Sequence, residues 1–336
     1  MKITHIGNMS SDRQRNGLLD QNKLIAAFFV ILLHSPFPGI VGEAFESLAR
    51  FAVPFFFMVS GYYVYDKPRK AIKKSLLKNL LLLASSLVLY VAWDLAWSLY
   101  QGNTAEKFET WFSLQSIIDI FIFNNGVLLG HLWFILALIY CYLIYLAVSK
   151  LGFKAKLIIS TVLLVMNFAL NIVLTNAGIT DPGYFTRNFL FTGLPFFMIG
   201  ELFAYGKFSL NGKKLLLWVT MVAGIVLTIL QRFCIGFSEL YLGSVLICVA
   251  LFALTISRQM PSSNLLANIG KRANTSVYVL HVIIIACLNM AGSVLGMLQS
   301  TAFLLVRPFA TLLLSIVAAY ILYAIKTKVN SRRVKE

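Results

Sequence analysis

Lys23-Leu-Ile-Ala-Ala-Phe-Phe-Val-Ile-Leu-Leu-His34 is an unbroken apolar run with an ionisable side chain at each end. An α-helix rises about 1.5 Å per residue, so Lys23 and His34 are expected about 16 Å apart, near opposite faces of a bilayer. Ionisable groups cost several kcal/mol inside a membrane segment, which makes each one a functional candidate. We expect Lys23 to mark a water boundary and His34 to carry chemistry.

The composition predicts a polytopic membrane protein. Of 336 residues, 59% are apolar and only 12% are charged, far from the balance of a soluble domain. The formal net charge is +16, but Lys and Arg form short clusters between apolar runs. That distribution indicates topology and contact with membrane lipids, with no nucleic-acid partner. The four cysteines show no CxxC or CxxH pattern, so we expect no disulfide framework and no metal site.

Hydropathy predicts an all-α fold with about ten transmembrane helices. The expected spans are 22–38, 48–65, 76–99, 131–149, 156–175, 189–206, 214–231, 240–257, 275–292 and 304–325. Lys and Arg concentrate in alternate loops, which places both termini in the cytoplasm by the positive-inside rule. The predicted organisation is a cytoplasmic tail over 1–21, a membrane domain over 22–325 and a basic tail over 326–336.

Ionisable side chains at the predicted outer face are the first candidates for a site. All but five of the 29 Lys and Arg residues lie in the cytoplasmic loops; the exceptions are Arg50, Lys107, Arg187, Arg232 and Arg307. These five are candidates for binding an anion or a sugar, with snorkelling to headgroups as the alternative. The prolines after His34 end its helix, so the imidazole is expected to face a cavity. His131 enters the membrane at the same face and is expected to share that cavity.

Two further polar groups have open interpretations. His281 is about six residues into a helix that enters from the cytoplasm, roughly 9 Å deep, so we expect it to line an inner vestibule. For His131 and His281, an interhelical hydrogen bond is an equally good interpretation. Asp94 is expected to orient a histidine, pair with an arginine or cap its helix toward water.

A histidine in this position suits acyl transfer. Its ordinary pKa of about 6.5 lets it take a proton from a hydroxyl and return it to a leaving group. The carbonyl oxygen also needs a cationic or hydrogen-bonding group, which Arg50 or Arg187 is placed to supply. The chain has no GxSxG, HExxH or P-loop pattern, so serine-hydrolase, zinc-protease and NTPase chemistry have no support.

Several segments together resemble the integral-membrane acyltransferase family 3. They are Leu19-Asp20-Gln-Asn-Lys23, Leu-Leu-His34-Ser35, Arg50-Phe-Ala-Val-Pro54-Phe-Phe-Phe-Met-Val-Ser60-Gly61-Tyr62, His131-Leu-Trp133, Pro195-Phe-Phe-Met-Ile-Gly200 and Ser276-x-Tyr278-x-x-His281. They occur in the order found in that family and extend over nearly the whole chain. Members are ten-helix bacterial membrane proteins that acylate cell-surface carbohydrates, commonly from acetyl-coenzyme A.

The resemblance implies roles for His34, Arg50 and Lys23, and the other candidate residues are assigned from their predicted positions. His34 matches the essential catalytic histidine, and Arg50 matches the outer arginine of the second helix. Arg50 and His131 are taken as the catalytic partners of His34. Lys23 matches a basic position near the cytoplasmic donor, and the 16 Å to His34 is comparable to the reach of a phosphopantetheine arm. The set is completed by His281 as a donor-binding residue and by Arg187, Asp94 and Trp133 as acceptor-binding residues.

The expected function is O-acylation of a cell-envelope glycan or glycolipid at the bacterial plasma membrane, with an acyl-CoA donor and no permanently bound cofactor. Many polysaccharide-acylating members carry Trp-Ser-Leu followed by a glutamate in the fourth predicted span. This chain departs from them, because its run Trp133-Phe-Ile-Leu-Ala137 contains no carboxylate. The opening is also similar to the membrane half of vancomycin-type serine/alanine racemases, for which amino-acid uptake has been proposed. A transporter of a small amino acid such as serine is therefore the alternative, and a lipid-binding scaffold is a third.

Overall fold

The computed structural model describes residues 15–126, 130–206, 208, 212–258, 260–261 and 264–333. Within these ranges the chain is helical and has no β-strand. The α-helices are α1 (Gly17–His34), α2 (Gly39–Ala49), α3 (Ala52–Val64), α4 (Arg69–Gln101), α5 (Thr104–Phe112), α6 (Leu114–Ile118), α7 (Trp133–Val148), α8 (Phe153–Asn176), α9 (Gly183–Thr186), α10 (Leu194–Ala204), α11 (Lys214–Cys234), α12 (Leu242–Ile256), α13 (Leu265–Val294) and α14 (Thr301–Arg333). Short π-helical turns over Asp119–Phe123 and Phe189–Gly193 and a 3₁₀ turn over Gly130–Leu132 adjoin them.

Eight helical segments are long and apolar enough to cross a membrane: Gly17–His34, Gly39–Val64, Arg69–Gln101, Gly130–Val148, Phe153–Asn176, Lys214–Cys234, Leu265–Val294 and Thr301–Ile325. They confirm the all-α membrane fold and coincide with eight of the ten expected spans. The other two expected spans correspond to the shorter apolar helices Phe189–Ala204 and Leu242–Ile256. The number of crossings and the cytoplasmic termini stay predictions.

Helix α1 begins five residues before the expected start at 22. The Asn16 side chain accepts a hydrogen bond from the Leu18 N–H at 3.0 Å and so caps the helix. Asp20, a polar residue that suggested a tail, is buried between Arg15 and Lys23, with ion-pair distances of 2.6 Å to each. Ion pairing therefore allows the helix to extend into the expected tail. The remainder of that tail, residues 1–14, and the C-terminal residues 334–336 lie outside the described ranges.

The centre of the bundle contains two similar segments, Pro54-Phe-Phe-Phe-Met58 of α3 and Pro195-Phe-Phe-Met198 of α10. Phe55, Phe57, Phe196 and Phe197 are all fully buried there. A Cβ atom added to Gly61 of α3 would collide with the Phe197 carbonyl oxygen, and one added to Gly200 of α10 would collide with the Met58 carbonyl. Small residues at these crossings let the two backbones touch, as is common between membrane helices.

Helix α13 begins at Leu265, ten residues before the expected span at 275. The Asn264 side chain caps its first turn by accepting from the Leu266 N–H at 3.0 Å. His281 is therefore sixteen residues into the helix, about 24 Å along its axis, where the sequence analysis expected about 9 Å. This displacement changes the neighbours of that histidine.

The described part of the segment between α4 and α7 consists of short helices and turns. Its π-helical turn is joined to the α9 region because Tyr184 donates a hydrogen bond to the Asp119 carboxylate. Partial burial and this carboxylate raise the pKa of Tyr184 to about 12. The irregular backbone of this segment thus obtains protein partners, as membrane-proximal backbone requires.

Candidate active site

His34 is the last residue of α1, and its side chain is exposed. The following residue, Ser35, is fully buried and donates its backbone N–H to the Ile31 carbonyl at 2.8 Å. The Arg307 guanidinium of α14 donates to the Ser35 hydroxyl at 2.7 Å and to the Asn289 side-chain oxygen of α13 at 2.9 Å. The position of His34 is therefore fixed through its neighbour by two other helices.

Three histidines from three helices form one cluster. The ring centroids of His34 and His131 are 6.1 Å apart, those of His34 and His281 are 5.1 Å apart, and those of His131 and His281 are 5.0 Å apart. His131 and His281 are both buried, while His34 is open to a cavity. The expected inner vestibule for His281 is wrong, because the longer α13 brings this residue beside the other two histidines.

The hydrogen bonds of His281 determine which ring nitrogen carries its proton. Its Nδ1 lies 2.7 Å from the Tyr278 carbonyl oxygen and 3.2 Å from the Val277 carbonyl oxygen. Carbonyl oxygens only accept, so Nδ1 must be the donor. The Nε2 atoms of His281 and His131 are buried and have no hydrogen-bond partner among the described residues. In neutral His281, the unpartnered Nε2 is therefore a lone-pair acceptor within the cluster.

Two tyrosines hold the elements around the cluster. Tyr278 of α13 donates to the His131 carbonyl oxygen, and Tyr90 of α4 donates to the Val279 carbonyl oxygen at 2.6 Å. The ring of Tyr90 also packs against that of His131, with centroids 4.7 Å apart. Helices α4 and α13 are thereby tied to the turn that carries His131.

A carboxylate joins the two outer arginines. Glu239, in the connection between α11 and α12, forms an ion pair with Arg50 and a second one with Arg187 at 3.4 Å. Arg50 is mostly buried and also binds Glu46 at 2.9 Å. Arg187 is more exposed, at 31%, and its guanidinium carbon lies 5.6 Å from the centre of the Trp133 ring. Arg187 is therefore the less constrained of the two cations.

These groups line one cavity of about 570 Å³. Its polar and aromatic lining consists of His34, Arg50, Tyr90, Asp94, Asn125, His131, Trp133, Phe134, Arg187, Thr192, Glu239 and Tyr278. Six of the eight predicted site residues thus line one cavity: His34, Arg50, Asp94, His131, Trp133 and Arg187. Among the described residues no group of three or more His, Cys, Asp or Glu side chains is arranged to hold a metal ion.

Lys23 lies apart from this cavity. Its ammonium group is 2.6 Å from the Asp20 carboxylate, which Arg15 also binds. Val30 is the cavity-lining residue of α1 closest to it, seven residues away or about 10 Å along the helix. The structure thus leaves apolar protein between Lys23 and the base of the cavity.

Glu239, Tyr90 and Tyr278 also belong to the site and were not predicted from the sequence. Tyr278 lies within the Ser276-x-Tyr278-x-x-His281 motif, and Tyr90 lies one helical turn before Asp94. Both could therefore have been found from their sequence neighbours. Glu239 follows a loop that contains Gly236, and nothing in its local sequence marks it as a site residue. The signal was the pair of outer arginines, because buried cations require a nearby carboxylate.

Comparisons with known proteins place the chain in a family. The model of a family described as an acyltransferase domain, family 3, matches residues 16–324. An amino-acid racemase of Enterococcus faecalis is 28% identical over 165 residues, which are 45% of this chain and 22% of the racemase. The chain therefore spans about a fifth of that relative's length. No solved structure matches. Since the family match extends from the start of α1 into α14 and includes the whole cavity, the chain belongs to the acyltransferase 3 family of membrane proteins.

Proposed function

We propose that this membrane acyltransferase moves an acyl group, an acetyl group in the simplest case, from acyl-CoA to a hydroxyl of a cell-envelope carbohydrate. The observation that carries the proposal is the His34 imidazole, exposed in a polar cavity and backed by two buried histidines. A cavity of about 570 Å³ is within the usual range for small-molecule sites. It offers room for a sugar unit beside the imidazole.

In the proposed reaction His34 takes the proton of the acceptor hydroxyl as that oxygen attacks the thioester carbonyl. The carbon–sulfur bond breaks, the thiolate leaves, and His34 returns the proton to it. In the other form of the mechanism, His34 itself attacks the thioester and holds the acyl group until the hydroxyl accepts it. Both forms give the acyl ester and free CoA.

The developing negative charge on the carbonyl oxygen needs a donor in the same cavity. Arg187 is the better placed arginine, because Arg50 is held by two carboxylates and is less exposed. The buried His281, whose Nε2 is free, and His131 are proposed to hold the His34 ring in one orientation. Asp94 and Trp133 are proposed to contact the acceptor.

The donor is proposed to approach from the end of α1 that carries Lys23. The cations there, Arg15 and Lys23, outnumber the single Asp20 carboxylate between them. That balance favours the phosphates of CoA. The thioester end would then have to cross about 10 Å of helix length to enter the cavity at Val30.

Reconstitution of the purified protein with labelled acetyl-CoA and extracted envelope glycans tests the proposal. Label is expected to appear on glycan with wild type and to be lost with His34→Ala. Transport of a small amino acid such as serine is the competing function, because Arg50 and Arg187 also suit a carboxylate. Saturable serine uptake into the same vesicles, with no transfer to any glycan, would replace acyl transfer by transport.

A further inference from the structure

A second cavity, of about 260 Å³, adjoins the first. Its walls are the C-terminal part of α8, the end of α11 and the connection over 235–241. Apolar lining comes from Phe168, Ile172, Ile235, Phe237 and Leu240. Ile172, Ile235 and Phe237 are exposed at the surface of the bundle, so an apolar part of this cavity is open to the outside. We call it the lateral cavity.

Most polar side chains of the lateral cavity already have partners inside the protein. Asn171 donates to the Asn167 carbonyl at 2.8 Å and to the Thr186 hydroxyl at 3.0 Å. Gln231 accepts from the Gly243 N–H at 3.1 Å, and Ser238 donates to the Leu240 carbonyl at 3.0 Å. An occupant therefore meets mainly apolar surface, which suits a hydrocarbon chain.

Glu239 separates the two cavities and lines both of them. Its side chain lies against Gly183, where an added Cβ atom would collide with the Glu239 Cγ atom. Its carboxylate binds Arg50 and Arg187 from the same point. Because Glu239 is the lining residue that both cavities share, a molecule extending from one cavity into the other meets its carboxylate. An anionic group at that point would replace the charge of Glu239 on the two arginines.

We propose that the acceptor is an anionic glycolipid that occupies both cavities. Its hydrocarbon chain lies in the lateral cavity, and its sugar hydroxyl reaches His34. Its anionic linker replaces Glu239 on Arg50 and on the Nη1 atom of Arg187. The other N–H groups of Arg187 then stay available for the thioester carbonyl oxygen. This inference rests on the proposed acyl transfer for the role of the sugar. The lateral cavity specifies the hydrocarbon chain, and the two arginines specify the anionic linker.

Equilibrium binding of a labelled decyl hexosyl phosphodiester to the protein in nanodiscs tests the chain-binding part. Ile172→Trp fills the lateral cavity, while Val173→Trp makes the same change at the next residue, which is equally exposed and lies outside the cavity. If the new indole displaces two methylenes of the hydrocarbon chain, the dissociation constant is expected to rise about tenfold for Ile172→Trp. It should change less than about twofold for Val173→Trp. Equal effects of the two variants would overturn the inference.

Glu239→Gln tests the anionic linker. Removing the competing carboxylate is expected to tighten phosphodiester binding about tenfold and to leave a neutral decyl glucoside unchanged. Unchanged phosphodiester binding, or an equal gain for the glucoside, would contradict the inference. Normal binding without acyl transfer by wild type would refute the proposed function alone, since the binding measurement needs no chemistry.

Discussion

A buried ion pair on the side of the bundle away from His34 gives a quantitative test of the structure. The Lys156 ammonium of α8 lies 2.5 Å from the Glu201 carboxylate of α10, and both side chains are at most 1% exposed. The ammonium also donates to the Ser149 carbonyl at 3.1 Å and to the Tyr205 hydroxyl at 3.4 Å. The rings of Tyr145 and Tyr205 flank it at 5.3 and 5.6 Å.

Glu201→Leu leaves the Lys156 charge buried without a counter-ion. Breaking such a pair costs about 3 to 5 kcal/mol, which lowers the folding equilibrium constant by about 10² to 10⁴. The double variant Lys156→Met with Glu201→Leu removes both charges and is expected to recover most of that loss, since apolar replacement of a buried pair is often neutral.

Equilibrium unfolding in mixed micelles, followed by circular dichroism, measures these changes. The matched control is the Arg232 and Glu43 pair, 3.1 Å apart with Glu43 half exposed. Glu43→Leu is expected to cost less than about 1 kcal/mol. A cost below about 1 kcal/mol for Glu201→Leu, or a double variant no more stable than the single one, would refute the burial of this pair.

Two further predictions concern helix contacts. Gly61→Ala pushes a methyl group into a carbonyl oxygen of α10 and is expected to cost about 1 to 3 kcal/mol or more in the same unfolding assay. Gly152→Ala, where the added carbon meets nothing within 4 Å, should cost no more than about 1 kcal/mol, and equal losses would contradict the close crossing. Arg307→Lys gives up the forked contact that holds Ser35, so kcat for acyl transfer is expected to fall about tenfold with KM unchanged. Arg272→Lys, a change on α13 outside the cavity-lining residues, should leave kcat and KM within about twofold of wild type. A change in KM alone for Arg307→Lys would argue against a positioning role.

The sequence predicted the helices well because their signal is local. Apolar runs longer than about 17 residues are recognisable without knowledge of their neighbours. Helix ends were predicted less well, because polar residues inside α1 and α13 looked like loop. Asp20 is tolerated in α1 since Arg15 and Lys23 bind it. Such compensation depends on side-chain geometry and cannot be read from hydropathy.

The same limit explains the errors at the site. Six of the eight candidates lie together because they all occur near one end of the predicted helices. His281 was assigned to the wrong depth by the late predicted start of α13. The burial of Lys156 against Glu201 was likewise not predicted. Contacts between helices distant in sequence decided both cases, and one sequence does not contain them.

The most direct test of the central claim is the single-turnover rate of acetyl transfer with saturating acetyl-CoA and glycan acceptor. General base catalysis contributes about 10² to 10⁴ in rate, so His34→Gln is expected to slow the transfer by that factor. His5→Gln, in the predicted N-terminal tail, is the same chemical change and should leave the rate unaltered. A His34→Gln rate within about threefold of wild type would contradict the assignment of His34 as the catalytic group of this acyltransferase.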